Sequence, residues 1–128
     1  MDGATLAGGA AVTVSLAAGG GSGSGSAGDA ASDTLTGIER LLGSDYADTL
    51  IGGAAANTLD GGAGDDMLVA GAGTDTLIGG DGNDIADYSG AGAGVTVALD
   101  GSAGSGDIAA GDRLTAVEGV IGSGFADT

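Results

Sequence analysis

The chain contains no cysteine, histidine or lysine, and only three aromatic residues among its 128. Without cysteine it has neither a disulfide framework nor a thiolate metal site. Without histidine, cysteine and lysine it lacks the usual general bases and nucleophiles, so we expect no enzymatic activity. The shortage of large aromatic side chains also excludes an ordinary bulky core. We expect a thin, stacked fold instead.

Positive charge is nearly absent too. Eighteen acidic residues face only Arg40 and Arg113, which gives a formal net charge of −16. Such a polyanion repels nucleic acids and anionic membrane surfaces, so neither is expected as a partner. The acidic residues are spaced regularly along an otherwise apolar chain and do not form a run. This spacing predicts a structural role for them rather than disorder.

The N-terminal region has no signal-peptide pattern. Residues 1–3 carry no basic side chain, and residues 6–20 are rich in Gly and Ala. This stretch is too weakly apolar for a signal peptide or a membrane span. We therefore expect no membrane insertion, and any export is predicted to proceed without a cleaved N-terminal signal.

Glycine is abundant, with 31 residues, and much of it falls in a nine-residue repeat. Five repeats follow one another as GSDYADTLI, GGAAANTLD, GGAGDDMLV, AGAGTDTLI and GGDGNDIAD, over residues 43–87. Glycines at the first, second and fourth places predict a tight turn with positive φ angles. The last three residues alternate around an inward aliphatic side chain, which predicts a short strand.

Two repeats make one coil, so equivalent turns recur every eighteen residues and stack ~4.8 Å apart. The predicted fold is all-β, a parallel β-roll or β-solenoid. One wall of its core is predicted to contain Leu50, Leu68 and Ala86, and the other Leu59 and Leu77. The core is then one side-chain layer thick.

A longer internal repeat encloses the regular one. Residues 12–16 return as 95–99, residues 33–39 as 112–118, and residues 43–49 as 122–128. The offset between the two copies is not constant along the chain, and it changes within the Gly/Ser segment 19–28. We therefore expect a single solenoid domain with irregular coils at 1–42, a regular roll at 43–90, and irregular coils at 91–128 that repeat the 12–49 pattern.

The acidic residue at the sixth place of each turn predicts calcium as the cofactor. Calcium takes six to eight oxygen ligands, and a glycine turn can direct backbone carbonyls toward an ion while a carboxylate completes the shell. Stacking predicts three ion sites, which pair Asp48 with Asp66, Asp66 with Asp84, and Asn57 with Asp75. The third site is predicted to be the weakest, because Asn57 is uncharged and Ala55 replaces a glycine. Further candidate contributors are Asp45, Asp65, Asp81, Gly61, Gly62, Gly64, Gly79, Gly80, Gly82 and Asp127.

The alternative for these aspartates is a solvated acidic face or Asx-turns without an ion. Stacking like charges in a molecule with so thin a core disfavours it. Ion binding is therefore expected to be coupled to folding.

The five nonapeptides, and the complete one at Gly61–Val69 in particular, resemble the RTX (repeats-in-toxin, haemolysin-type) calcium-binding family. The flanks resemble segments of large bacterial surface adhesins. The resemblance implies type I secretion, an unfolded state in low-calcium cytosol, and folding outside the cell.

Several other features bear on function. Tyr46 and Phe125 are predicted to cover the edge of the core at the start of the roll, and Tyr88 at its far end. Stacked Thr58 and Thr76 raise ice binding as a less favoured alternative.

Two functional hypotheses follow. The first is an extracellular structural protein that stacks head-to-tail into a filament, surface layer or adhesin stalk, with Asp127 completing an intermolecular calcium site. The alternative is a calcium-triggered module of a larger secreted enzyme or adhesin. A stand-alone hydrolase ranks far below both.

Overall fold

A computed structural model describes residues 2–5, 10–16, 23–27, 34–35 and 38–128. The Gly/Ser segment of the longer repeat therefore lies partly outside the described residues, as do residues 33, 36 and 37. The strands are β1 Asp2–Thr5, β2 Thr13–Ser15, β3 Gly23–Ala27, β4 Thr34–Leu35, β5 Ile38–Leu42, β6 Thr49–Ile51, β7 Thr58–Ala63, β8 Met67–Val69, β9 Thr76–Asp81, β10 Ile85–Asp87, β11 Arg113–Thr115 and β12 Gly119–Ile121. Among the described residues, a 3-10 turn spans Asp107–Ala109.

The strands form two sheets, and from β4 onward consecutive strands belong to them alternately. Sheet A has the order β1-β5-β7-β9-β11, and sheet B has the order β12-β10-β8-β6-β2-β3-β4. Within the regular roll every pairing is parallel and joins residues eighteen apart, as in Leu50 with Leu68 and Leu59 with Leu77. The predicted β-roll with two nonapeptides per coil is confirmed.

The core consists of the two predicted walls. Leu50, Leu68 and Ala86 lie in register in sheet B, Leu59 and Leu77 lie in register in sheet A, and all five are fully buried. In the regular roll, the three-residue strands β6, β8 and β10 each bury the central side chain and leave its neighbours half-buried. The walls continue beyond the regular roll, because Val14 pairs with Leu50, Leu41 with Leu59, and Leu114 with Leu77.

The turns differ from the predicted pattern in two ways. Strands β7 and β9 are six residues long, because pairing continues through the glycines of the next repeat. Gly62, Gly64, Gly80 and Gly82 have the expected positive φ angles, whereas the first-place glycines, Gly61 and Gly79, do not. The expectation that the glycine at the first place of the repeat has a positive φ angle was therefore wrong. Glycine is needed there because oxygen atoms approach its Cα closely, as described below.

The flanks join the same two sheets by longer connections. Strand β2 pairs with β6 across 36 residues, and β12 pairs with β10 across 34. On its other side β2 pairs with β3 in the antiparallel direction. Residues 95–99, the counterpart of 12–16, form no strand and make an isolated bridge at Thr96. The division into three segments stays a prediction.

Two minor predictions have different outcomes. Tyr46 and Phe125 are 47% and 59% exposed, so the expectation that they cover the core was wrong. Tyr88 is fully buried, as expected.

Thr58 and Thr76 do pair, but Arg40 and Arg113 occupy the adjoining rungs of that face. The charged neighbours disfavour the flat threonine surface that ice binding would need.

Candidate metal centre

The acidic side chains at the ends of the turns stack into a first carboxylate column, which consists of Asp48, Asp66, Asp84 and Glu118. Each carboxylate accepts a hydrogen bond from a backbone amide in the preceding coil. The amide of Asp48 donates to Oδ1 of Asp66 at 2.7 Å, and the amide of Asp66 donates to Oδ1 of Asp84 at 2.8 Å. At the upper end the amide of Asp84 donates to Oε2 of Glu118 at 2.9 Å. The column therefore links four consecutive coils.

A second column on the opposite side contains Asn57, Asp75 and Asp112. The amide of Asn57 donates to Oδ1 of Asp75, and the amide of Asp75 donates to Oδ1 of Asp112, both at 2.7 Å. The Tyr88 hydroxyl donates to Oδ2 of Asp112 at 3.0 Å. Asp75 and Asp112 are buried, so this column too lies inside the molecule.

Three of these carboxylates have an unsatisfied oxygen. The Oδ2 atoms of Asp66, Asp75 and Asp84 are buried and have no hydrogen-bond partner. Burial raises the pKa of Asp66 to about 6 and that of Asp75 to about 7, and it also raises the pKa of Asp84. An ionised carboxylate is costly in such a place unless a cation or a proton compensates it. The unsatisfied oxygens therefore indicate where a cation belongs.

Backbone carbonyl oxygens converge on the same places. A Cβ atom added to Gly61 would lie 2.7 Å from the carbonyl oxygen of Gly79 and would overlap Oδ2 of Asp66. One coil earlier, Gly43 faces the carbonyl oxygen of Gly61 and Oδ2 of Asp48 in the same way. The first-place glycine thus leaves room between the carboxylate of its own turn and a carbonyl of the next. A donor set of carboxylate and carbonyl oxygens fits calcium.

The structure brings together all three predicted pairs, but the members differ in what their oxygens do. The second oxygen of Asp48 accepts hydrogen bonds from the amide and hydroxyl of Ser44. Similarly, Oδ1 of Asn57 accepts one from the amide of Gly53 at 2.7 Å. Asp66, Asp75 and Asp84 keep an oxygen available. Calcium ligation by these residues stays a prediction.

The other acidic candidates lie away from the columns. Asp45, Asp65 and Asp81 are exposed, and Oδ1 of Asp65 accepts the amide of Asn83 at 3.0 Å. Asp127 is also exposed, and its Oδ1 accepts the amide of Val95 and the hydroxyl of Ser123. These bonds lower the pKa of Asp127. The structure does not bring Asp127 together with another candidate ligand.

Two members of the columns were not predicted. Asp112 begins the run Asp-Arg-Leu-Thr, which has the same Asp-x-Leu pattern as the run that begins at Asp75. That pattern could have identified it. Glu118 carries no such sequence signal. It lies only two residues after Ala116, where its shortened turn begins, and so does not fit the nine-residue pattern.

Two features are absent from the part of the chain that the structure describes. In the part of the chain that the structure describes, no three or more acidic, histidine or cysteine side chains cluster as a metal site. Backbone carbonyls must therefore supply much of any coordination shell. Among the same residues, no helix is long and apolar enough to cross a membrane.

The RTX calcium-binding nonapeptide repeat matches the chain in four overlapping copies, at residues 33–68, 42–77, 56–86 and 64–93. Residues 33–93 are RTX calcium-binding repeats. RTX nonapeptide repeats bind calcium, and the repeat is a structural unit and not a catalytic one. The RTX match includes every predicted pair but ends before Asp112 and Glu118. No curated protein matches the chain.

Proposed function

We propose that this RTX β-roll is a non-enzymatic extracellular structural protein whose folding is completed by calcium. The observation that carries the proposal is the set of buried, unpartnered Oδ2 atoms on Asp66, Asp75 and Asp84. In a chain with a net charge of −16 these atoms add local repulsion to an already unfavourable total. Bound calcium removes both costs, so the folded state is expected to depend on it.

The proposed ligands divide into strong and weak ones. Asp66, Asp84 and Asp75 each provide a free carboxylate oxygen, and the carbonyl of Gly79 adds to the shell beside Gly61. Asp48 and Asn57 contribute less, because Oδ2 of Asp48 and the single side-chain oxygen of Asn57 already accept hydrogen bonds. The exposed Asp45, Asp65 and Asp81 add negative charge near the turns without entering the columns.

The proposed location is outside the cell. RTX repeat proteins are typically secreted by a type I system and are extracellular. Sites that depend on several backbone carbonyls and few charges are expected to bind calcium at about 0.1–1 mM, which is the range of extracellular modules. At cytosolic calcium concentrations the chain would then stay unfolded, and it would fold after export.

The non-enzymatic role is supported by the chain's lack of histidine, cysteine and lysine. Its buried acidic side chains are used in the columns. The same geometry is compatible with a folding module of a larger secreted enzyme or adhesin, in which the roll supports a separate active domain. We rank the structural role first, because the exposed apolar cleft described below offers a surface for association with a second copy of the chain.

Circular dichroism during a calcium titration tests the proposal. After treatment with a chelator the chain is expected to lose its β-sheet signal and to regain it at about 0.1–1 mM calcium. Magnesium at the same concentration is the control, and it is expected to be much less effective because it demands a stricter geometry. A chelated protein with unchanged strands and an unchanged melting temperature would overturn the proposal.

Self-association is a second element of the proposal. An apolar cleft of about 390 Å³ is lined by Val95, Val97, Leu99 and Val120, and Leu99 is 49% exposed. It lies beside β12, which is the last strand of sheet B. We propose that a second copy of the chain covers this cleft in a head-to-tail contact. Asp127 also lines the cleft and would meet the neighbouring copy there.

Sedimentation velocity and electron microscopy with and without calcium test this contact. Oligomers or filaments are expected with calcium, and substitution of Leu99 by Ser is expected to abolish them while leaving the calcium-induced folding intact. Ala103→Ser, at another exposed position, is the control. Calcium-loaded protein that stays monomeric at high concentration would rule the contact out.

A further inference from the structure

The first carboxylate column continues past the last nonapeptide, and this continuation is outside the residues that match the RTX repeat. We infer that the turn Gly79–Asp84 and the segment Ala116–Glu118 enclose a further site for a hard divalent cation such as calcium. The inference rests on the proposed calcium function, but it concerns a coil that has no repeat sequence.

The oxygen atoms at this place repeat the arrangement inside the regular roll. The Cα of Gly79 faces Oδ2 of Asp84 from its own turn and the carbonyl oxygen of Ala116 from the next coil. The corresponding pair at Gly61 is Oδ2 of Asp66 and the carbonyl oxygen of Gly79. Ala116 therefore stands where the first glycine of another turn would stand.

Glu118 takes the place of the sixth-position aspartate. It accepts the amide of Asp84 at 2.9 Å, as Asp84 itself accepts the amide of Asp66 at 2.8 Å. The regular turn has five residue steps from Gly79 to Asp84, whereas Ala116 and Glu118 are only two steps apart. The glutamate side chain is one methylene longer than that of aspartate, and this extra reach compensates for the shorter turn.

The backbone of this short turn is also unusual. Ala116 has a φ angle of 49°, which an L-residue adopts at some cost. The bend puts the Ala116 carbonyl above Gly79 and is fixed by amide hydrogen bonds from Glu118 and Gly119 to the carbonyl of Asp84, at 3.1 and 3.0 Å. A strained residue that holds an oxygen donor in position is expected at a ligand site.

A separate observation points to the ligand. Asp84 has no exposed surface, and its Oδ2 has no hydrogen-bond partner. A buried, unpartnered carboxylate oxygen that faces a carbonyl oxygen is stabilised by a cation, and an all-oxygen donor set selects a hard one. Bound there, the cation would fasten β12 to the regular roll.

Isothermal titration calorimetry on the full chain tests the site through the number of calcium ions bound. Glu118→Gln is expected to bind one calcium fewer per chain, or to bind that ion on the order of tenfold more weakly. Asp87→Asn is the matched control. It removes the same charge from the adjoining coil, but the carboxylate of Asp87 accepts only the nearby amide of Ser89 and is not part of either column. It is expected to bind the full number.

Glu118→Asp separates the cation site from a general loss of folding. It keeps the charge but shortens the side chain, so it too is expected to lose one calcium while the remaining ions still fold the roll. If Glu118→Gln fails to fold with calcium, the aspartate variant decides. Variants that bind as many ions as the wild type with unchanged affinity would overturn this inference alone. A wild-type chain that binds no calcium would instead overturn the proposed function.

Discussion

The hydroxyl of Tyr88 donates a 3.0 Å hydrogen bond to Oδ2 of Asp112, the same oxygen that has no partner in Asp75 one coil earlier. The second column thus ends on a neutral donor, whereas Oδ2 of Asp75 has no hydrogen-bond partner. Tyr88 is fully buried, and both burial and the neighbouring Asp112 raise its pKa, so its hydroxyl stays protonated at any ordinary pH.

Replacing Tyr88 by Phe removes this donor and leaves the Asp112 oxygen buried and unsatisfied. We expect a loss of about 1–3 kcal/mol in the free energy of unfolding, measured by chemical denaturation in excess calcium. Tyr46→Phe is the control, because that side chain is 47% exposed, and it is expected to change little. Equal stabilities of the two variants would contradict this role for Tyr88.

Asn57→Asp is expected to strengthen calcium binding in the second column. The new carboxylate can still accept the amide of Gly53, and it brings a charge to the pair with Asp75. Asn83→Asp adds an identical charge at an exposed position and serves as the control. Equal shifts of the calcium midpoint in both variants would show that only net charge matters.

The metal-free protein is expected to become less stable as the pH rises from about 4 to 7. The pKa values of Asp66 and Asp75 are raised in the folded state to about 6 and about 7, from an ordinary value of 3.8. The folded state therefore holds more protons than the unfolded state in this window, and stability falls as these protons are lost. Circular dichroism in chelator between pH 4.5 and 7.5 measures the effect as a loss of β-sheet signal with rising pH. In saturating calcium the trend should weaken or reverse, because the ion binds the ionised carboxylates.

Gly61→Ala is expected to destabilise the calcium-bound protein by about 1–3 kcal/mol or more, because the methyl group would collide with Oδ2 of Asp66 and the carbonyl of Gly79. Gly90→Ala is the matched control, since nothing lies within 4 Å of the added methyl group there. Thermal denaturation and calcium titration of the two variants distinguish crowding of the oxygen atoms around Gly61 from a general cost of losing a glycine. If both variants behave alike, the close approach of oxygen atoms to Gly61 is not the reason that glycine is needed there.

The sequence was sufficient for the regular part of the fold, because strict nine-residue spacing dictates which residues pair. Leu50 with Leu68 and Asp48 with Asp66 follow directly from an offset of eighteen. The offsets of 34 to 37 that join β2, β11 and β12 to the roll have no periodic signal, since loops of arbitrary length intervene. Glu118 was missed for this reason, as a different acid in a shorter turn.

The antiparallel pairing of β3 with β2 could not be predicted either, because the Gly/Ser-rich residues of β3 show no alternation of apolar and polar side chains. The first-place glycines show a different limit. The sequence identifies that glycine is required, but only the structure distinguishes a positive φ angle from a close approach of oxygen atoms. At Gly61 the second reason applies, and at Gly62 the first.

The two ends of sheet B differ in how their strands are paired. At one end β12 runs parallel to β10, whereas at the other end β3 and β4 are joined to β2 by antiparallel pairings. A copy that docks at the β12 end therefore meets a different strand pattern from one that docks at the β4 end, and a polymer built on this sheet would have two distinct tips.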